Sequence, residues 1–93
     1  MKEITVEDYF VGQAKARGGV ALKIAPVSFV GLPDRMALLP RGRVGFCELK
    51  KPDEEPSAIQ GYWLSLLSSL GFVAQWCATK RGVDAFYATL DAQ

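Results

Sequence analysis

A chain of 93 residues that is 49% hydrophobic, with a formal net charge of +1, can build one modest core and buries a smaller share of its surface than a larger domain would. It contains no histidine, which excludes His-assisted nucleophilic catalysis and the usual Cys/His zinc sites, and two cysteines are too few for a disulfide framework. No apolar run approaches a membrane span, and Met1 to Thr5 lack the hydrophobic region of a secretory signal, so a single domain over residues 1–93, intracellular and with no membrane partner, is expected.

Thr5 followed by Asp8 reads as a helix N-cap with an acidic first turn. Val6, Tyr9, Phe10 and Ala14 then recur at helical spacing until Gly18-Gly19. Glu7 lies in that first turn, where a carboxylate complements the helix dipole. Val20 to Ile24 has strand propensity and should stop at Pro26. Val27 to Leu32 reads as an apolar connection with Gly31 and Pro33 as turn residues. A hairpin follows: a strand over Arg35 to Leu39, a turn through Pro40, Arg41 and Gly42, and a central strand over Val44 to Leu49.

Lys51 to Pro56 is the most polar stretch, bracketed by prolines, and reads as an irregular loop. Ser57 and Gln60 have the spacing of a capping box. The helix they open carries Tyr62, Trp63, Leu66, Leu67 and Leu70 as an expected core-facing stripe and ends at Gly71. Phe72 to Cys77 is a further strand, and Thr79 caps a last helix with Val83, Phe86, Tyr87 and Leu90 at helical spacing. Cys47 and Cys77 sit in apolar strand-like runs and read as small buried thiols. Trp63 and Trp76 each fall within an apolar period, which favours a core or interface role over base stacking. Lys80 and Arg81, in the first turn of the last helix, are mildly opposed by its dipole and hint at a phosphate or partner contact.

Charge is unevenly distributed. From Lys15 to Lys51 eight basic residues face two acids, a surplus of +6, while the remainder carries −5. Those two acids are Asp34 and Glu48, placed by the hairpin on neighbouring strands. Glu48 and Lys50 are two apart on one strand, so both project from one face while Leu49 points away. Paired carboxylates beside an ammonium suit a hard cation such as Mg²⁺ and the activation of water against a phosphate. The basic block around them fits a polyanion.

Pro33-Asp34, a spacer and Glu48-Leu49-Lys50 resemble the core motif of the PD-(D/E)xK nucleases. With Gly18-Gly19-x-Ala21-Leu22-Lys23, Gly31-Leu32-Pro33-Asp34-Arg35 and Gln60, the chain is similar to the VRR-NUC family, the virus-type replication-repair nucleases, from about Glu7 to about Thr79. The acidic, proline-bracketed loop after Lys51 departs from the commonest family pattern. The resemblance implies an α/β, restriction-endonuclease-like domain with a mixed central sheet flanked by helices, in the order α-β-β-β-α-β-α. It implies metal-dependent endonuclease activity on DNA with Mg²⁺ or Mn²⁺ as cofactor. Asp34, Glu48 and the Leu49 carbonyl would hold the metal, and Lys50, Gln60 and Glu7 would complete the catalytic set. Lys23 would meet a phosphate, with Arg35, Arg41, Arg43 and Lys51 as further DNA contacts.

Small freestanding members resemble Holliday-junction resolvases, and two symmetrical nicks need two sites, so four-way or otherwise branched DNA and a homodimer are the expected partners. Trp63, Trp76 and Tyr87 are interface candidates. The resemblance also suggests a bacterial or phage-infected cytoplasm. A flap or other structure-specific repair nuclease, a non-catalytic DNA-binding module, and an interaction protein with a chance motif remain alternatives.

Overall fold

In a computed structural model that describes residues 4–25 and 28–93, helix α1 (Val6–Ala16) leads into strands β1 (Val20–Lys23), β2 (Arg35–Leu39) and β3 (Arg43–Leu49), then helix α2 (Ala58–Ser69), strand β4 (Val73–Cys77) and helix α3 (Lys80–Asp91). This is the order α-β-β-β-α-β-α expected from the sequence. Pro26, read as a strand stop, and Val27, read as the start of a connection, lie outside the described residues.

The local signals act as their chemistry dictates. The Thr5, Ser57 and Thr79 side chains each accept the backbone N–H three residues on, at 3.0, 3.3 and 3.0 Å, satisfying donors that a helix start leaves unpaired. Two helices end in the same closure. Gly18 N–H donates to the Lys15 carbonyl and Gly19 N–H to that of Ala14; likewise Gly71 donates to Ser68 and Phe72 to Leu67. Gly18 and Gly71 hold the left-handed φ this closure requires, 79° and 99°. That use of the Phe72 amide is why β4 begins at Val73 and not at Phe72.

β1, β2 and β3 pair antiparallel and β4 lies parallel to β3, giving the sheet order β1-β2-β3-β4. The turn at Pro40–Gly42 closes the hairpin with Arg41 and Gly42 both at positive φ, and Arg43 pairs with Leu39, one residue before the expected start of β3. At the other end β1 stops at Lys23, the last residue in register with β2; the Ile24 N–H reaches the Asp34 carbonyl at 2.8 Å beyond it.

Alternation divides the sheet into two faces. Ala37, Leu39, Cys47, Val73 and Cys77 turn toward α1 and α3 and are buried with Phe10, Ala14, Val83, Phe86, Tyr87 and Leu90. Gly45 belongs to this face because a Cβ there would lie 2.7 Å from the Phe86 ring and 2.9 Å from Leu90. Tyr87, an interface candidate from sequence, is fully buried and donates its hydroxyl to the Phe10 carbonyl at 2.8 Å; burial raises its pKa.

The opposite face differs from expectation. α2 packs on β3 and β4, and of its apolar residues only Leu64 is buried, while Tyr62 and Leu70 of the expected core stripe are 58% and 65% exposed. The hydrophobic period had no way to show that α2 spans only part of the sheet. Val20 and Leu22 of β1 consequently remain exposed, and Met36, Leu38, Val44 and Phe46 partly so.

Candidate active site

The register places the two candidate carboxylates together. Arg35 faces Cys47 across the β2–β3 ladder, so Asp34 and Glu48 occupy the adjoining position on neighbouring strands. Asp34 accepts the Leu49 backbone N–H on Oδ1 at 3.0 Å, which fixes the rotation of its carboxylate. Glu48 is buried, at 5% exposure. Its Oε2 receives the Gln60 amide at 3.3 Å and lies 3.6 Å from Lys50 Nζ, as the shared strand face of Glu48 and Lys50 requires.

Both carboxylates hold their protons more tightly than in water. Burial raises the pKa of Asp34, opposed by the Leu49 N–H and the charge of Arg35. Burial and then the charge of Asp34 raise that of Glu48, with Lys50 acting against both. Two desolvated like charges on adjacent strands attract either protons or an added cation.

Gln60 does two things at once. Its Oε1 accepts the Ser57 N–H at 2.9 Å, completing the capping box, while its Nε2 holds Glu48. The capping role read from sequence is therefore realised, and the opposite end of the same amide reaches Glu48.

Glu7 is exposed and ion-paired with Arg35 NH2. Glu7, Asp34, Leu49, Lys50 and Lys51 line one cleft of about 520 Å³ together with Thr5, Val6, Pro52, Glu54 and Ala78. Among the described residues no three His, Cys, Asp or Glu side chains form a metal-ligating group, so Glu7 does not join Asp34 and Glu48 as a third carboxylate. Sequence reasoning missed Glu54, which it read as part of a solvated loop. Its carboxylate accepts the Lys51 N–H at 3.1 Å and its own N–H returns to the Lys51 carbonyl at 3.1 Å. The signal was there: Lys-Pro-Asp-Glu places proline where a tight turn takes it.

The candidate DNA contacts fall into two groups. Lys23 is exposed and directly opposite Arg35, and Lys51 lines the cleft, so these three surround the carboxylates. Arg41 and Arg43 stand at the other end of the hairpin. The Arg43 guanidinium donates to the Pro40 carbonyl at 3.0 Å and lies 3.7 Å from Asp91, ties that hold the turn against α3. Behind the site, Cys47 and Cys77 are buried free thiols with sulfurs 3.2 Å apart. The Cys77 contact and burial together push the Cys47 pKa far up, which leaves it an inert thiol.

A solved structure described as a VRR_NUC domain superposes with a TM-score of 0.81 at 25% identity, over 89% of this chain and 90% of that one. In sequence, a protein named "Putative nuclease p44" from Acyrthosiphon pisum secondary endosymbiont phage 1 is 35% identical over 60 residues, 64% of each chain. The match thus spans less than two thirds of that relative. No family model matches the chain. With the Asp34, Glu48, Lys50 and Gln60 constellation set on a sheet of the same fold, the chain is similar to a VRR_NUC domain over about nine tenths of its length and, over a shorter stretch, to a phage protein named as a putative nuclease.

Proposed function

We propose that the protein is a divalent-metal-dependent endodeoxyribonuclease that cuts branched DNA, foremost four-way junctions, as a homodimer. The observation that carries this reading is the buried Glu48 carboxylate beside Asp34, held by Gln60 and faced by Lys50. The residues fit a hard cation. Burial and mutual repulsion raise the proton affinity of both carboxylates, a cost that a cation relieves. Asp34 and Glu48 would hold the ion, with the Leu49 carbonyl as third protein ligand. When bound, Mg²⁺ or Mn²⁺ supplies Lewis-acid charge that acidifies water and offsets phosphate charge.

The chain's own groups do the remaining work. The Leu49 N–H and the Gln60 amide fix the two carboxylates before substrate arrives, so no reorganisation is needed during the reaction. Lys50, on the Glu48 face, orients water or meets the charge growing on the phosphate. Lys23, Arg35 and Lys51 draw the backbone in, a contribution that weakens steeply with salt. Glu7 holds the Arg35 guanidinium at the rim of the site.

A pair of sites acting on opposed strands calls for two-fold symmetry. The half-open sheet face bearing Val20, Leu22, Met36, Leu38, Val44 and Phe46 supports it, since all six residues are apolar and none is suited to phosphate. In the fold this face, rather than Tyr87, is the candidate for contact with a second copy.

The test is cleavage of matched labelled duplex, flap and four-way junction with Mg²⁺ or Mn²⁺, by wild type and Glu48→Ala. Paired symmetrical nicks in the junction, absent with the variant, are expected. Preferential cutting of the flap would replace the junction assignment. Failure of wild type to cut any substrate with either metal would leave a DNA-binding module.

A further inference from the structure

Between the segment before Pro33 and helix α2, two exposed rings stand on a fastened base. Trp63 of α2 donates its indole N–H to the Val30 carbonyl at 3.0 Å, and Gly31 approaches α2 so closely that a Cβ would lie 2.8 Å from Ile59. Gly31 reaches that approach at a φ of 92°, which a side chain would resist. The segment before Pro33 is thereby locked to the helix. On it Phe29 meets Trp63 edge-on at 5.6 Å, and Tyr62 meets the same indole at 5.8 Å. Phe29 and Tyr62 are nevertheless 59% and 58% exposed, large aromatic surface left in water by a chain of ordinary hydrophobicity.

Both supports of this cluster run directly into the site. Three residues after Gly31 comes Asp34, across the buried Pro33. Two residues before Tyr62 comes Gln60, whose amide holds Glu48. Trp63, one helical turn beyond Gln60 on the same face of α2, brings the ring cluster toward the carboxylates. Lys50 shares the sheet face of Glu48, and Lys23 and Arg35 border Asp34 from the face toward α1, so cations flank the site from both sides, which suits a polyanion that also carries flat apolar groups. An unpaired nucleobase combines both: its phosphates sit on the cations and its face on a ring, with a stacking contribution that is insensitive to sequence.

We propose that Phe29 and Tyr62, braced by Trp63, form a stacking platform for bases unpaired at a branch point, and that this platform selects branched over continuous duplex DNA. The assignment rests on the DNA-cleaving reading above. It explains selection by structure at a site whose other named contacts are to phosphate. A linear duplex keeps its bases stacked and has nothing to offer the rings, whereas a branch exposes base faces beside the phosphate to be cut.

The experiment uses Glu48→Ala, which binds without cutting, and a four-way junction with 2-aminopurine at the branch point, compared with the same analogue deep in a duplex arm. Quenching at the branch and not in the arm is expected. Adding Phe29→Ala and Tyr62→Ala should abolish it and weaken junction binding by about tenfold, with duplex binding unchanged. The same two substitutions in the otherwise wild-type enzyme should erode the preference for junction over duplex cleavage.

Quenching that survives both substitutions, or its absence from the parent protein, overturns the proposal. So does a change of sedimentation coefficient on substitution, which would make the patch a contact between copies. If wild type cuts nothing while the branch signal persists and depends on the rings, the nuclease reading fails and the platform stands.

Discussion

At Gln60 one side chain joins folding to chemistry. Glutamate is as good a capping-box partner as glutamine, so Gln60→Glu keeps an acceptor for the Ser57 N–H but replaces the donor to Glu48 with an oxygen. At about pH 4, where the carboxyls are largely protonated, stability should change little; at neutral pH without metal the added charge beside Glu48 should lower it, and DNA cleavage should fall by about a hundredfold, the scale of removing one preorganised polar contact. Ser57→Ala reverses the pattern. Loss of the cap costs about 1 kcal/mol and leaves the Glu48 contacts in place. Denaturant melts and single-turnover cleavage of both variants separate the two roles.

Glu48 supports a second prediction at the same scale. Its pKa is raised in the fold, so the folded state binds more protons than the unfolded one. Its stabilising effect is complete below the unfolded carboxylate value and is lost as pH rises through the folded value. At neutral pH without metal the charged residue opposes folding. Glu48→Gln should therefore raise stability by about 1 kcal/mol at pH 7 and abolish cleavage, with the gain shrinking toward pH 4. Asp34 shares the sign of Glu48 and Asp91 has the opposite one, its pKa lowered by Arg17, so it is the difference between variant and wild type that isolates Glu48. Urea unfolding in EDTA across pH 4 to 8 checks this, and equal stability of variant and wild type at pH 7 would contradict it.

Among the elements, β3 carries the site on one face and the core on the other. Gly45 serves the core face, where Phe86 and Leu90 leave no room for a Cβ. Gly45→Ala should cost about 1–3 kcal/mol through overpacking, seen as a lowered urea midpoint with unchanged slope. Because α3 and β3 would shift together, cleavage should drop with it. The elements themselves were legible in the sequence to within a residue at most ends, since caps and closing glycines are local devices. Leu70 was not: its helical spacing is that of a core residue, yet α2 ends beyond the strand it covers. Gln60 was half legible, because the capping box is written in four consecutive residues but the reach to Glu48 depends on where α2 crosses the sheet.

For the molecule as a whole, the half-covered sheet is the feature with most consequence. If a second copy sits on it, Val20→Glu and Leu38→Glu place charges in the contact. Sedimentation should then show monomer where wild type is dimeric, and a junction should receive uncoupled single nicks in place of paired ones. Unchanged sedimentation would move the contact elsewhere. The two positions are on β1 and β2, away from the site carboxylates, so intrinsic single-strand cutting should remain within about twofold.

Sequence alone determined the element order, the hairpin that carries Asp34 to Glu48, and the common face of Glu48 and Lys50, because each follows from spacing along a strand or across one turn. Only the tertiary structure decided that Gln60 serves Glu48 and the helix cap together, that Arg35 is tied to Glu7, and that Tyr87 belongs to the core. It also decided that one sheet face stays partly open and that Phe29 stands in water beside Trp63. These depend on contacts between segments far apart in the chain, set by how helices of fixed length lie across a twisted sheet, and no local pattern of residues encodes that.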